Sequence, residues 1–258
     1  MSLHVAPSWS TRIDALALIG VAVGIWIQAL AGAPEYAAIP PGPIVLVILA
    51  VCILVVTRWR WMPMTGTLLS ALILAGAFAT PYTANRLSDP AAAGIFVGTV
   101  IQMLALVIGL FAGIFATAEG YRGRTAAIVC RMLGAIFVAI GVVAVFRGSP
   151  ENLYHNLLHI ATGIIALYVG IARPGAGARA FAVAFGVFYL ALGTLGIVIG
   201  DAAMNRLWEI GPLHLTIGDH GFHLILGTIL LTSGLLTRDL APEQPQDSRA
   251  ATLAPSPR

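Results

Sequence analysis

Eight apolar segments separated by short polar stretches make up the hydrophobic pattern of this chain. Most of them are close to the 17–25 residues that a helix needs to cross a hydrocarbon core about 30 Å thick. The strict alternation typical of membrane barrel strands is absent. The pattern therefore predicts an all-α integral membrane protein with eight transmembrane helices. The predicted spans are residues 13–31, 43–57, 64–80, 93–117, 126–146, 152–172, 178–200 and 217–237.

The composition favours a lipid environment. Of the 258 residues, 59% are hydrophobic and 10% are charged, whereas about a quarter of the residues in soluble domains are charged. A soluble protein of this composition would have too few polar side chains to cover its surface, and a helix in lipid satisfies its own backbone. The lipid bilayer is thus the expected partner, with other membrane proteins as further candidates. The charge pattern gives no indication of nucleic-acid binding.

The arginines alternate between the two sides of the predicted bundle. Ten lie in the N-terminal arm, the loops after spans two, four and six, and the C-terminal tail, and three lie in the opposite loops. Because short cytoplasmic loops carry an excess of Arg and Lys, we expect a multi-pass protein of the bacterial inner (plasma) membrane with both termini in the cytoplasm. The ten are Arg12, Arg58, Arg60, Arg122, Arg124, Arg173, Arg179, Arg238, Arg249 and Arg258, and the three are Arg86, Arg147 and Arg206.

The chain divides into three parts. Residues 1–117 form a four-span N-terminal half, and residues 126–238 form a second four-helix unit. Residues 241–258 are rich in Pro, Ala and polar residues, which predicts a disordered cytoplasmic tail. The first span is longer than the 7–15 apolar residues usual in a signal peptide, so we interpret it as a retained span, although the small residues at its end resemble a cleavage site.

The second unit shows an internal duplication. Spans five and seven each carry two glycines with six residues between them, and spans six and eight each carry a histidine followed by a glycine at the same spacing. Both hairpins enter from the same side, so the pattern predicts two parallel helical hairpins related by an axis along the membrane normal. The matched positions are Gly134, Gly141, His159 and Gly163 in the first hairpin and Gly186, Gly193, His223 and Gly227 in the second.

The motifs of spans six and eight resemble those of a known family. Residues 126–238 are similar to a bacterial membrane family known as domain of unknown function 4383, whose members have an Asn-x-x-His-x-x-x-Gly helix and a later Asp-Asn-x-x-His-x-x-x-Gly helix. The resemblance implies a four-helix membrane bundle and implies no activity. His220 stands where the family usually has Asn, and His155 is an addition. The matching residues are Asn156, His159 and Gly163, then Asp219, His223 and Gly227.

Local signals predict how several polar residues are used. Ser149 to Asn152 and Thr216 to Asp219 are typical of helix N-caps, the second with capping-box spacing. Gln28 and Gln102 are expected to form interhelical hydrogen bonds. Residues 201–216, the longest outer connection, are expected to pack as a loop rather than as a short interfacial helix.

Four histidines lie near the starts of the two matched helices, where each pair is about one turn apart and so shares a helix face. Ionisable groups in a membrane are costly and usually face the bundle interior. The leading hypothesis is that these imidazoles, with Asn156 and Asp219, brace the helices in a non-enzymatic structural or accessory protein. The four are His155, His159, His220 and His223.

Two further hypotheses give the histidines a chemical role. His159 and His223 could be the axial ligands of a haem b, or all four histidines could bind a transition metal, as in a membrane redox component. Titrating histidines could also serve a proton-coupled transporter of a small solute, but acidic residues deeper in the spans are missing. Neither Gly-x-Ser-x-Gly nor His-Glu-x-x-His occurs, so no catalytic residue is predicted.

Overall fold

The computed structural model describes residues 6–37, 39–121, 123–147 and 153–237. Within these ranges the chain forms nine α-helices, and residues 201–215 add a short 3₁₀ turn and a two-stranded antiparallel hairpin. The predicted tail, 241–258, and the predicted N-cap at Ser149 lie outside the described residues. The helices are α1 (Trp9–Leu30), α2 (Pro41–Val55), α3 (Met62–Ala79), α4 (Tyr82–Ser88), α5 (Ala93–Tyr121), α6 (Thr125–Arg147), α7 (Leu153–Ala172), α8 (Ala176–Ile199) and α9 (Ile217–Leu236), and the strands are β1 (Trp208–Ile210) and β2 (Leu213–Leu215).

Six of the described helices are long and apolar enough to cross a membrane: α1, α3, α5, α6, α7 and α8. The all-α prediction is confirmed at this level. The other two predicted spans also form helices, but α2 has only 15 residues and α9 begins with the polar residues Asp219, His220 and His223. One helix, α4, was not predicted and lies in the connection between the third and fourth spans.

Polar caps place the starts of two helices. The Ser8 side chain accepts a hydrogen bond from the backbone N–H of Thr11 at 3.2 Å, so α1 begins at Trp9, four residues before the predicted span. At the start of α9, the Asp219 carboxylate accepts from the backbone N–H of Thr216 at 2.8 Å and from its hydroxyl at 3.0 Å. The predicted capping interaction at Asp219 is therefore confirmed.

Two apolar cores hold the helices together. The first joins α1, α2 and α5, with the fully buried Leu18, Leu46 and Leu106 at its centre. The second joins α6 to α9, and α3 and α5 also contribute to it. The tightest helix pairs are α1 with α5, α6 with α7, and α8 with α9, while α3 packs against both α5 and α9. α3 thereby links the two groups of helices.

Glycines mark the closest approaches within the two hairpins. A Cβ added at Gly134 would lie 2.8 Å from the backbone nitrogen of Leu167, and one added at Gly186 would lie 2.6 Å from that of Leu231. One added at Gly141 would lie 2.9 Å from the Asn156 carbonyl oxygen, and one at Gly193 2.7 Å from the His220 carbonyl oxygen. Both of these contacts in the α6–α7 hairpin thus have a counterpart in the α8–α9 hairpin. Within each helix, the offset in residue number is the same for both contacts.

Candidate functional site

Three of the four predicted histidines meet at the end of the bundle where α7 and α9 begin. The ring centroids of His155 and His159 are 4.5 Å apart, and those of His155 and His223 are 6.4 Å apart. Because His155 lies between the other two, it connects the polar face of α7 with that of α9. Whether these two faces meet could not be derived from helix spacing, since spacing along one helix says nothing about its neighbour. We call these three residues the histidine cluster.

Each of two histidine rings stacks on an aromatic ring of its own hairpin partner helix. Phe137 of α6 stacks on His159 with centroids 5.2 Å apart and planes at 22°. Tyr189 of α8 stacks on His223 at 5.4 Å and 16°. The aromatic residues occupy matched positions, each three residues after the first glycine of its helix, Gly134 or Gly186. Sequence reasoning missed both, although this repeated spacing would have been enough to find them.

A third aromatic side chain joins the two hairpins. Phe222 of α9 lies 6.0 Å from Phe137 and 6.3 Å from His159, measured between ring centroids. Helices α6 to α9 are therefore all connected through this one group of rings.

His220 has a different position from the histidine cluster. It is fully buried, and its Nε2 donates a hydrogen bond to the backbone oxygen of Arg206 at 2.9 Å. Arg206 follows Asn205, and both adopt positive φ angles, 57° and 54°, in the segment before the β-hairpin. His220 thus ties α9 to this connection. The connection forms a 3₁₀ turn and a two-stranded hairpin where a loop was predicted.

The histidine cluster contains ring nitrogens without hydrogen-bond partners. The Nδ1 atoms of His159 and His223 are both buried and unpaired, and the His223 side chain belongs to a residue only 4% exposed. Asp219 is occupied by its capping interactions with Thr216. In the part of the chain that the structure describes, no group of three or more His, Cys, Asp or Glu residues is arranged to hold a metal ion. Asn156, the other predicted polar residue, is partly buried.

A second polar cluster joins α1, α4 and α5. Gln28 donates to the side-chain oxygen of Gln102 at 2.7 Å, which confirms the predicted interhelical hydrogen bond. The side-chain oxygen of Gln28 accepts from Thr99 at 3.0 Å and from Arg86 at 2.7 Å. Arg86 also donates to Glu35 at 2.8 Å. The buried amides are thus connected to the ion pair between Arg86 of α4 and Glu35.

The charge of Arg86 affects its acidic partner. Partial burial acts to raise the pKa of Glu35, but the hydrogen bond and positive charge of Arg86 outweigh it, so the pKa of this carboxyl lies below its usual value. Sequence reasoning had placed Arg86 among the outer loop arginines and had not given it a partner. Its partner Glu35 is 51 positions away in the chain, beyond any local pattern.

Asp14 is the residue that sequence reasoning overlooked in the N-terminal half. It lies in α1, has no exposed surface, and neither carboxylate oxygen has a hydrogen-bond partner. It was hidden by its place at the edge of the predicted span, where a charged residue would normally reach water. Asp14 is thus an acidic residue that lies at the edge of a predicted span and is buried in the structure.

The fold and these clusters define a class of protein: a polytopic α-helical protein with membrane-compatible helices and a histidine–aromatic group at one end. A family model described as Domain of unknown function (DUF4383) matches residues 144–236. The match covers the end of α6 and all of α7, α8 and α9, and it confirms the resemblance drawn from the His159 and His223 helices. No curated protein and no solved structure matches the chain.

Proposed function

We propose that the protein is a non-enzymatic, multi-pass protein of the bacterial inner membrane, a structural or accessory component whose four C-terminal helices form a duplicated unit. The observation that carries this proposal is the repeated stacking of an imidazole on an aromatic ring, His159 on Phe137 and His223 on Tyr189. The same device in both hairpins supports a bracing role. Aromatic pairs of this kind contribute about 0.5–1.5 kcal/mol beyond the area they bury.

The matched glycine contacts support the duplication. Within each hairpin a glycine lies against the backbone of the partner helix at two places, Gly134 and Gly141 in the first hairpin and Gly186 and Gly193 in the second. Two unrelated hairpins would have no reason to share both contacts at the same sequence offsets. We therefore treat residues 126–238 as one duplicated unit and residues 1–117 as a separate four-span half.

Eight spans, with both termini in the cytoplasm, remain our proposal for the topology. α9 is less apolar than the six other candidates, but its polar first turns are covered by protein: His220 and His223 are buried. A span surrounded by other helices need not be apolar on every side. α2, at about 1.5 Å per residue, reaches about 22 Å, and local thinning of the bilayer accommodates short spans at modest cost.

Stability measurements on histidine variants test the bracing role. We expect His223→Ala to lower the free energy of unfolding in detergent by about 1–3 kcal/mol, because it removes a buried ring and its stacking partner loses its contact. His214→Ala is the matched control, since His214 lies on the exposed hairpin and its loss should change stability by less than about 0.5 kcal/mol. Equal stability of the two variants would contradict bracing.

A haem b or transition-metal site is the second candidate function. It is favoured by the buried Nδ1 atoms of His159 and His223, which have no protein partner, since imidazole nitrogen is a common ligand for iron, copper and zinc. His159 and His223 would be the axial pair of a haem. A transition metal would take the same two imidazoles, since the described residues hold no group of three or more His, Cys, Asp or Glu arranged for a metal ion and His220 is bonded to Arg206.

The visible spectrum and the metal content of the purified protein separate the two candidates. A haem site requires a Soret band that His159→Ala and His223→Ala both remove. A metal site requires stoichiometric metal that is lost in the same variants. Bracing alone predicts no Soret band, no stoichiometric metal, and a stability loss in His223→Ala. A protein with neither spectral nor metal signal would eliminate the second candidate.

A further inference from the structure

Asp14 is surrounded by apolar and small residues at the junction of α1, α3 and α5. Its carboxylate lies against Gly66 of α3, where an added Cβ would be 2.6 Å from Oδ2. Neither carboxylate oxygen accepts or donates a hydrogen bond, and the side chain has no contact with solvent. An acidic side chain in this condition needs a partner that the described side chains do not supply.

A second unpaired polar atom lies on α3, one turn after Gly66. The Ser70 hydroxyl is fully buried and without a hydrogen bond. It faces Gly109 of α5, where an added Cβ would lie 2.8 Å from the hydroxyl and 3.4 Å from the Cβ of Ala17. Ala17 is one turn from Asp14 on α1 and Ser70 is one turn from Gly66 on α3, so the two unpaired groups lie at neighbouring turns of these helices.

The charge of Asp14 is not compensated by its surroundings. α3 carries no ionisable side chain. On α1 itself Arg12 is exposed. Two charged residues of other elements line the neighbouring cleft, Arg60 in the connection before α3 and Glu119 on α5, and both have partners elsewhere. Glu119 accepts from Ser10 at 2.6 Å, and Arg60 donates to the Gly120 carbonyl. A buried, unpaired carboxylate anion is far less favourable than the neutral acid.

A surface cleft lies beside the helix turns that precede this acid. Its volume is about 200 Å³, and Thr11, Pro63 and Glu119 are among the residues that line it. Thr11 precedes Asp14 on α1 by three residues and Pro63 precedes Gly66 on α3 by three residues, so the cleft lies about one helical turn before the Asp14–Gly66 contact. Arg60 also lines the cleft, in the loop that we propose to be cytoplasmic.

We propose that Asp14 is a proton-binding site of the N-terminal helices, which takes up and releases its proton through the cleft lined by Thr11, Pro63 and Glu119. The ligand is a proton rather than a metal cation, because a cation such as Ca²⁺ takes about six to eight oxygen ligands and the described residues place no metal-binding group of three or more His, Cys, Asp or Glu around Asp14. This inference does not depend on the histidine cluster. It gives residues 1–117 a function that the family match, confined to residues 144–236, does not address.

Labelling of the full-length protein with dicyclohexylcarbodiimide tests the proposal. This apolar reagent adds to a protonated carboxyl group in an apolar environment. We expect mass spectrometry to locate one adduct at Asp14, with a yield that declines as the pH rises and that sodium ions at fixed pH do not change. No adduct at Asp14, or an adduct that sodium ions prevent, would overturn the proposal.

Two variants control this experiment. Asp14→Asn keeps the shape of the side chain and should lose the adduct. Glu119→Gln removes the acid at the mouth of the cleft and should retain the adduct at Asp14. Labelling of the wild-type protein is decisive by itself if Asp14→Asn fails to fold, and an adduct of equal yield with a water-soluble carbodiimide would show that Asp14 is exposed and contradict the buried site.

Discussion

Polar side chains inside apolar helices of this protein have partners in some cases and lack them in others. Gln28 bonds to Gln102, and the pair contributes the interhelical hydrogen bonds expected of amides in lipid, worth about 0.6–2 kcal/mol each. Asp14 has no such partner. The difference lies in the facing helices. α5 presents Gln102 and Thr99 to Gln28, whereas α3 presents Gly66 to Asp14. A buried polar residue without a partner is therefore the better indication of function here.

The Glu35–Arg86 pair gives stability that depends on pH. Because the pKa of Glu35 is lowered in the folded protein, below its usual value of 4.5, the pair stabilises the fold above that pH, and this contribution is lost as the pH falls through the folded pKa. We expect Glu35→Gln to have a lower melting temperature than the wild type at pH 7. The difference should narrow between pH 7 and a pH well below 4.5 in a thermal unfolding series.

The control for the Glu35 variant is Glu209→Gln. Glu209 pairs with His214 on the hairpin, where both side chains are about half exposed or more, and exposed pairs contribute little. Glu209→Gln should have the same melting temperature as the wild type at both pH values. If Glu35→Gln matched the wild type at pH 7, the ion pair would contribute nothing to the folded state.

At the scale of helices, glycine decides how closely the hairpin partners approach. Gly186 of α8 lies against α9, and Gly227 of α9 lies against α8. An added Cβ at Gly227 would lie 2.8 Å from the Gly186 carbonyl oxygen. Side chains at these positions would separate α8 from α9, and the stacking of Tyr189 on His223 depends on that separation. The small-residue pattern thus supports the histidine–aromatic group indirectly.

Substitution of one interface glycine measures this effect. An added Cβ at Gly186 would meet the backbone nitrogen of Leu231 at 2.6 Å, and a backbone atom cannot move aside without moving its helix. We expect Gly186→Ala to destabilise the protein by about 1–3 kcal/mol in detergent unfolding. Gly76→Ala is the control, because nothing lies within 4 Å of its added Cβ and alanine favours helix. A Gly186→Ala protein as stable as Gly76→Ala would contradict close packing at this site.

For the whole molecule, the arginine pattern and the helices together define a testable topology. The loop between α2 and α3 holds Arg58 and Arg60, and the connection before α9 holds Arg206 and the hairpin. An eight-span protein with a cytoplasmic N-terminus places these two segments on opposite sides of the membrane. A count of six or seven spans would place at least one of them differently.

Cysteine labelling distinguishes these topologies. In a background without Cys52 and Cys130, a membrane-impermeant maleimide added to intact right-side-out vesicles should label Asn205→Cys and should label Thr57→Cys only after permeabilisation, because water reaches each segment from one side. Labelling of Thr57→Cys in sealed vesicles would overturn the proposed orientation. Labelling of both positions would show that the number of spans between them is not odd as proposed.

The sequence by itself determined the helical class, the positions of the long helices, the cap at Asp219 and the family resemblance over 144–236. These follow from the length of apolar runs and from local spacing, which act within one helix or repeat along the chain. Only the tertiary structure decided that His155 bridges to His223 while His220 bonds to Arg206, that Phe137 and Tyr189 support the rings, and that Asp14 is buried without a partner. Such outcomes depend on which face each helix turns to its neighbour, and that choice is made by packing between distant segments, which a pattern along one segment does not contain.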